Sequence, residues 1–258
     1  IEPDDKVKAF ICTQDLKDEE YINSHFVIMA TKKGQVKKTS LEQYSRPRIN
    51  GINAITIRED DELLEAKLTT GNSQVMLAIK SGKAIRFEEE KTRPMGRNAS
   101  GVRGITLAND EDEVVGMIAV NEMDTDILVV SANGYGKRSQ LDDYRITNRG
   151  GKGVKTISVT EKTGELVAIK NVSDNDDLMI INRSGLAIRM SVENLRVMGR
   201  ATQGVRLINL KSNDAIAAVA KVMKDDEEVV EEILEELSDT DISEENSNGT
   251  TIADNDLE

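Results

Sequence analysis

The stretch richest in chemically useful residues is RITNRGGKGVK, residues 145–155, with four positive charges and three glycines in eleven positions. Glycine beside lysine invites a phosphate-binding reading, because glycine lets the backbone approach an anion closely and lysine supplies charge. A nucleotide P-loop requires Gly-x-x-x-x-Gly-Lys followed by Ser or Thr, whereas here Gly151 and Lys152 are followed by Gly153. Two readings stay open: a plain turn, or a loop whose backbone approaches the phosphates of a polymer. Other chemistries have little to work with. His25 is the sole histidine and sits in a linker, so neither a metal site nor a His-based catalytic dyad can be built around it. Cys12, the sole cysteine, makes no internal disulfide and reads as a small buried hydrophobe. Met95 and Met198, each before Gly-Arg, read as packing under a loop. Tyr135, between two glycines, reads either as a contact to sugar and backbone or as a cap on the fold.

The cationic stretch is one of a series. The pattern Gly-Ile/Val-x-x-Ile occurs as GINAI, GVRGI, GVKTI and GVRLI, opened by Gly51, Gly101, Gly153 and Gly204. A second signal keeps the same beat: an apolar run, a turn glycine (Gly34, Gly82, Gly134, Gly185) and a basic strand. Measured from the opening glycine, arginine stands eight and four residues earlier as Arg93 and Arg97, Arg145 and Arg149, Arg196 and Arg200, with Arg46 and Arg48 in the irregular first copy. Two residues after it come Asn53, Arg103, Lys155 and Arg206, and four residues after the turn glycine come Lys38, Arg86, Arg138 and Arg189. With Lys152, these are the candidate anion-binding residues. Acidic residues recur elsewhere, in REDDE, ANDEDE, EKTGE and KSND, each placed between the last two strands of a repeat.

Such spacing implies a repeat architecture. Each copy holds about four strand-like pieces, in the third ILVVSA, YGKRSQL, GVKTISV and ELVAIKNV. The expectation is an all-β, propeller-like fold of four-stranded blades of about 50 residues, with blades at 26–73, 74–125, 126–176 and 177–224. Val7 to Thr13 matches only the last strand of a blade, so residues 1–25 are expected to be the end of an upstream blade and a linker, and the chain a piece of a longer protein. Aromatics are 3% of the residues with no Trp, which argues against the WD-type repeat; the single Gly-Gly argues against kelch. The net charge of −13 misleads: 15 of the 47 acidic residues and none of the 34 basic ones fall in 225–258, leaving 32 acids against 34 bases in the rest. That acidic tail is expected to hold a short amphipathic helix, EEVVEEILEEL, and then to be disordered. No stretch approaches the roughly 18 apolar residues of a membrane helix, so a cytoplasmic protein without a membrane partner is expected.

A balanced body with periodic cations can bind a polyanion, and the absence of a recognition helix favours backbone contact over sequence readout. The succession FVIMATKKGQVKKT, RPMGRNASGVRGI, NGYGKRSQLDDYRITNRGGKGVKTI and VMGRATQGVRLI resembles the C-terminal domain of the DNA gyrase A subunit over residues 7–224. The resemblance implies a β-pinwheel, a propeller-like ring whose neighbouring blades exchange strands. It implies non-sequence-specific binding and wrapping of double-stranded DNA, presented for strand passage so that an ATP-dependent type II topoisomerase introduces negative supercoils. It implies partners in the rest of the A subunit dimer and in the B subunit of an A2B2 holoenzyme, in the bacterial nucleoid. The family's Gln-Arg-Arg-Gly-Gly-Lys/Arg-Gly box has its nearest match in Thr147–Gly153, where Arg149, Gly150, Gly151, Lys152 and Gly153 agree and Thr147 and Asn148 do not. The family's cleavage tyrosine, ATP and Mg belong elsewhere in the holoenzyme, so this segment is expected to carry no cofactor and no catalytic residue. The alternatives are the A subunit of topoisomerase IV, or a propeller acting as a protein-interaction platform.

Overall fold

The computed structural model describes residues 6–121, 125–211 and 213–223, nearly all within one compact unit, Ile1–Lys221. The expected tail helix at 225–258 lies outside the described residues. A short helix α1 (Glu19–Ser24), capped by the Asp18 carboxylate, precedes fifteen strands among the described residues. The first repeat supplies β1 (Phe26–Thr31), β2 (Gln35–Ser40) and β3 (Leu63–Thr69). The second supplies β4 (Gln74–Ile79), β5 (Lys83–Glu88), β6 (Val102–Arg103) and β7 (Val114–Val120). The third supplies β8 (Asp126–Ser131), β9 (Tyr135–Gln140), β10 (Val154–Lys155) and β11 (Leu166–Val172), and the fourth β12 (Asp176–Asn182), β13 (Ala187–Ser191), β14 (Val205–Arg206) and β15 (Ile216–Met223).

The strands form antiparallel sheets in the orders β3-β1-β2-β6, β10-β5-β4-β7, β11-β8-β9-β14 and β13-β12-β15. Each four-stranded sheet therefore borrows its short edge strand from the following repeat, as the family resemblance implies. This revises the reading in which one repeat makes one whole blade: the third piece of each repeat completes the sheet before it. That piece is also shorter than GVKTISV, since only Val154 and Lys155 pair, with Ala84 and Lys83. GINAI forms no strand, and the fourth sheet has three strands among the described residues. Nor does Val7 to Thr13 form the expected strand. Ala9 and Ile11 instead pack on the apolar cluster around Val27 and Met29 while Phe10 faces outward. Cys12 on this segment is exposed, not buried.

Glycine is required where a strand is handed over. Gly153 has φ +71, and a Cβ there would run into the Ala84 carbonyl; Gly101 and Gly204 meet Val36 and Gly136 in the same way. No side chain fits between backbones that close. The core lies between successive sheets, which is why the central strands read as unbroken apolar runs. On β8, Ile127 and Val129 join a cluster with Met76, Ile118 and Val120 of the second repeat. Their alternates Leu128 and Val130 join Leu178 and Ile180 of the fourth. Each such side chain contributes about 1.5–3 kcal/mol by leaving water, and β8 thereby contributes to two junctions.

Candidate nucleic-acid interface

The basic residues four after the turn glycine sit on the second strand of each hairpin, inside the pattern that the core dictates. Lys38, Arg86 and Arg138 are buried, and each reaches forward to the turn that precedes the next repeat's cationic loop. Lys38 Nζ pairs with Glu89 at 3.0 Å and lies over the Phe26 ring. Arg86 donates to the carbonyls of Leu141 and Tyr144 and through Nε to Gln74, with Asp142 3.8 Å away. Arg138 donates to the Val192 carbonyl and pairs with Asp126 at 2.7 Å and Asp174 at 2.6 Å. Burial works against the Arg138 charge, and the hydrogen bonds and charges of the two aspartates outweigh it, raising its pKa. Arg189 pairs with Asp177 at 2.6 Å. Of these four residues expected on the anion-binding face, Lys38, Arg86 and Arg138 lie buried and their side chains staple one repeat to the next.

The loops before the exchanged strands behave differently. Their path is fixed by backbone hydrogen bonds across each junction. Met95, Thr147 and Met198 donate N–H to the carbonyls of Lys38, Arg86 and Arg138, and Met95 and Met198 lie half-buried, as expected of packing under a loop. The arginine four before the opening glycine then reaches back to the previous loop: Arg97 to the Asn53 carbonyl, Arg149 to that of Arg103, Arg200 to that of Lys155. The acceptor is each time the residue two after the previous opening glycine. Amides tie the same loops together, with Thr56, Thr106 and Ser158 donating to the carbonyls of Ala99, Gly151 and Thr202. Four successive loops are thus laced into one row.

A carbonyl orients a guanidinium without cancelling its charge. Among the described residues none of Arg46, Arg48, Arg93, Arg97, Arg103, Arg145, Arg149, Lys152, Lys155, Arg196, Arg200 or Arg206 pairs with a carboxylate. All are exposed except the half-buried Arg97, Arg149 and Arg200. In RITNRGGKGVK the Gly150 amide is already used, donating to the Gly104 carbonyl at 2.6 Å. A cavity of about 290 Å³ remains between Arg145, Asn148 and Lys152. Tyr135 is buried and caps the sheet end, its hydroxyl accepting from Nε and Nη2 of Arg206 while Lys162 lies over its ring.

Three basic residues escaped the sequence reading. Lys83 stands directly opposite Lys155 across the exchanged strand, a like-charge pair that destabilises a sheet unless an anion lies between; nothing in the one-dimensional pattern marks it. Lys37 and Lys137 are buried, and burial, with Arg97 and Arg200 respectively adding repulsion, pulls both down to about 8, Asp143 partly opposing this at Lys137. Their signal was present: QVKKT and YGKRS put two basic residues in succession on a strand, where KAIRF and LAIRM put isoleucine before the arginine. The acids of the repeat brace the hairpin turns, Asp61 accepting from the Lys33 amide, Asp112 from Ser81 and Asp214 from Ser184. His25 binds the Tyr21 carbonyl through Nδ1. No cluster of metal-ligating residues occurs among the described residues, and no helix there is long and apolar enough to cross a membrane.

Comparison with known proteins adds four findings. The family described as "DNA gyrase C-terminal domain, beta-propeller" matches residues 25–70, 74–121, 125–173 and 176–223. The DNA gyrase A subunit of Staphylococcus aureus strain NCTC 8325 / PS 47 is 43% identical over 233 residues, covering 90% of this chain and 26% of that protein. The chain thus spans about a quarter of the length of the curated relatives it matches. A solved DNA gyrase A C-terminal domain aligns with TM-score 0.70 and 24% identity, covering 78% of this chain and 67% of the other. The crystal structure of a DNA topoisomerase IV C-terminal domain aligns with TM-score 0.74 and 24% identity, covering 83% and 67%.

Proposed function

Because the chain belongs to the DNA gyrase C-terminal domain family, we propose that its laced row of loops binds double-stranded DNA through the backbone and wraps it. The observation that carries this is the handing of Arg97, Arg149 and Arg200 to the carbonyl of the preceding loop, repeat after repeat. A row built this way offers phosphates a spaced series of cations whose positions are fixed before binding. Bending a 20–30 bp site by 40–90° costs on the order of 1–6 kcal/mol. Counterion release at many phosphates offsets that cost. Backbone contact of this kind needs no sequence readout, and among the described residues the loops of the row carry no α-helix that could enter a groove.

Within a whole A subunit, this segment presents the wrapped duplex for strand passage by an ATP-dependent type II topoisomerase that introduces negative supercoils. Cleavage, ATP and Mg belong to the remainder of an A2B2 holoenzyme with the B subunit, in the cytoplasm at the nucleoid. The 43% identity to a gyrase A subunit favours gyrase over topoisomerase IV, since fold likeness at 24% identity does not separate them. The test is a salt series with mixed-sequence duplex. Engagement of roughly 8 phosphates gives a log–log slope near −7. A flat series with weak affinity would instead mark a protein-interaction platform.

A further inference from the structure

Beneath two of the three loop junctions lies a lysine that the interface just described does not use. Lys37 is 0% exposed and donates through Nζ to the carbonyls of Arg97 and Ala54, both at 2.5 Å. Lys137 is 1% exposed and donates to the carbonyl of Gly199, the residue before Arg200, at 2.6 Å. Each ammonium therefore grips the following repeat's loop at its lacing arginine. Neither pairs with a carboxylate among the described residues. A buried cation without a counter-ion costs free energy, so packing alone does not account for it.

The middle junction resolves the puzzle. There the same register holds Ile85, whose side chain lies where it would meet a Cβ on Gly151 of the loop. The loop itself carries Lys152 immediately before its opening glycine, where the other two loops carry Ser100 and Gln203. At these two positions taken together, the one under the loop and the one before its opening glycine, each junction holds one lysine: in the loop at the second, under the loop at the first and third. Compensation of this kind follows the charge delivered to the loop surface, since isoleucine and lysine pack differently.

We propose that Lys37 and Lys137 are positioning residues of the DNA face, buried ammonium groups that hold the following loop and become fully charged when that loop meets phosphate. The inference rests on the DNA-binding reading above. The groups facing Lys37 are Arg97 on the loop and the Tyr44 hydroxyl, which donates to the same Ala54 carbonyl. Those facing Lys137 are Arg200 on the loop and Asp143 on the turn before it. With both lysines near half-charged at about pH 8, a phosphate above the loop draws a proton in.

The test uses the whole 258-residue chain and a mixed-sequence linear duplex, with calorimetry near pH 8 in two buffers of different ionisation enthalpy. Binding should take up about one proton in total, falling toward none near pH 6, where both lysines are already charged. Lys37→Ile with Lys137→Ile should abolish the uptake and weaken binding about tenfold at fixed salt. Adding Ser100→Lys and Gln203→Lys, which moves each ammonium to its place in the middle loop, should restore affinity without restoring uptake. Wild-type binding without proton uptake overturns the inference, as does a variant that keeps the uptake or a relocated lysine that recovers nothing. Should the double variant fail to fold, the wild-type uptake and the single variants decide. A wild-type chain that binds no duplex at any pH instead sinks the DNA-binding reading itself.

Discussion

Arg138 and Arg149 lie eleven residues apart in the third repeat, and each reaches across a junction between repeats. Arg138 reaches forward, is buried, and meets the carboxylates of Asp126 and Asp174. Arg149 reaches back over the surface and meets only the carbonyls of Lys91 and Arg103. The partner decides what each charge is for. A carboxylate consumes the charge and leaves a bond between repeats; a carbonyl holds the side chain in place and leaves the charge for a ligand. Both ladders recur with the repeat, so periodicity alone gives them equal standing as DNA contacts.

The contrast breaks most visibly at Arg138. Arg138→Ala leaves Asp126 without its cation and should lower stability by about 2–4 kcal/mol, seen as a reduced urea midpoint. Duplex affinity of the folded fraction should stay within about twofold of wild type. The opposite experiment removes the lacing arginines. Arg97→Ala, Arg149→Ala and Arg200→Ala together should flatten the log–log salt slope by about 3 and cost roughly 30-fold in affinity at low salt, with far less effect on the urea midpoint than Arg138→Ala alone. If both variants lose stability and neither loses affinity, the division between the ladders is wrong.

The buried lysines sharpen the comparison through pH. Their pKa values are about 8 in the fold and near 10.4 in an unfolded chain. Between those limits the unfolded state binds more protons, so stability rises with pH. From pH 8 to about pH 9.5 the gain should be about 3 kcal/mol for the two lysines together, absent from Lys37→Ile with Lys137→Ile, while duplex affinity falls over the same range. Above about pH 10 the trend reverses, because burial pushes Tyr144 up to about 12 and the unfolded chain ionises its tyrosine first. The smallest effect is expected at Tyr135→Phe, which removes the hydroxyl that orients Arg206. It should cost about 0.5–1.5 kcal/mol of stability, with a change in duplex affinity under about threefold.

Much of this molecule is legible in one dimension. The turn glycines, the apolar runs and the opening Gly-Ile/Val recur in step, and from them follow the β class, the number of repeats and the positions of the loops. The cationic loops were legible too, because a loop arginine's exposure follows from local sequence. Less legible were the borrowed strands. Val102–Arg103 looks like the third strand of its own repeat, and its pairing with Gln35 and Val36 depends on how two repeats meet.

Sequence by itself determined the repeat, its punctuation and the inventory of charges in each copy, because these depend on backbone preferences and on the apolar period within some fifty residues. Tertiary structure alone decided which charges are buried at a junction and what holds them there. Lys38 finds Glu89, Arg86 finds the carbonyls of Leu141 and Tyr144, and Lys137 finds Gly199, every one of them in the following repeat. Burial and neutralisation belong to the junction between two copies, where long-range packing sets both the local solvation and the identity of the partner.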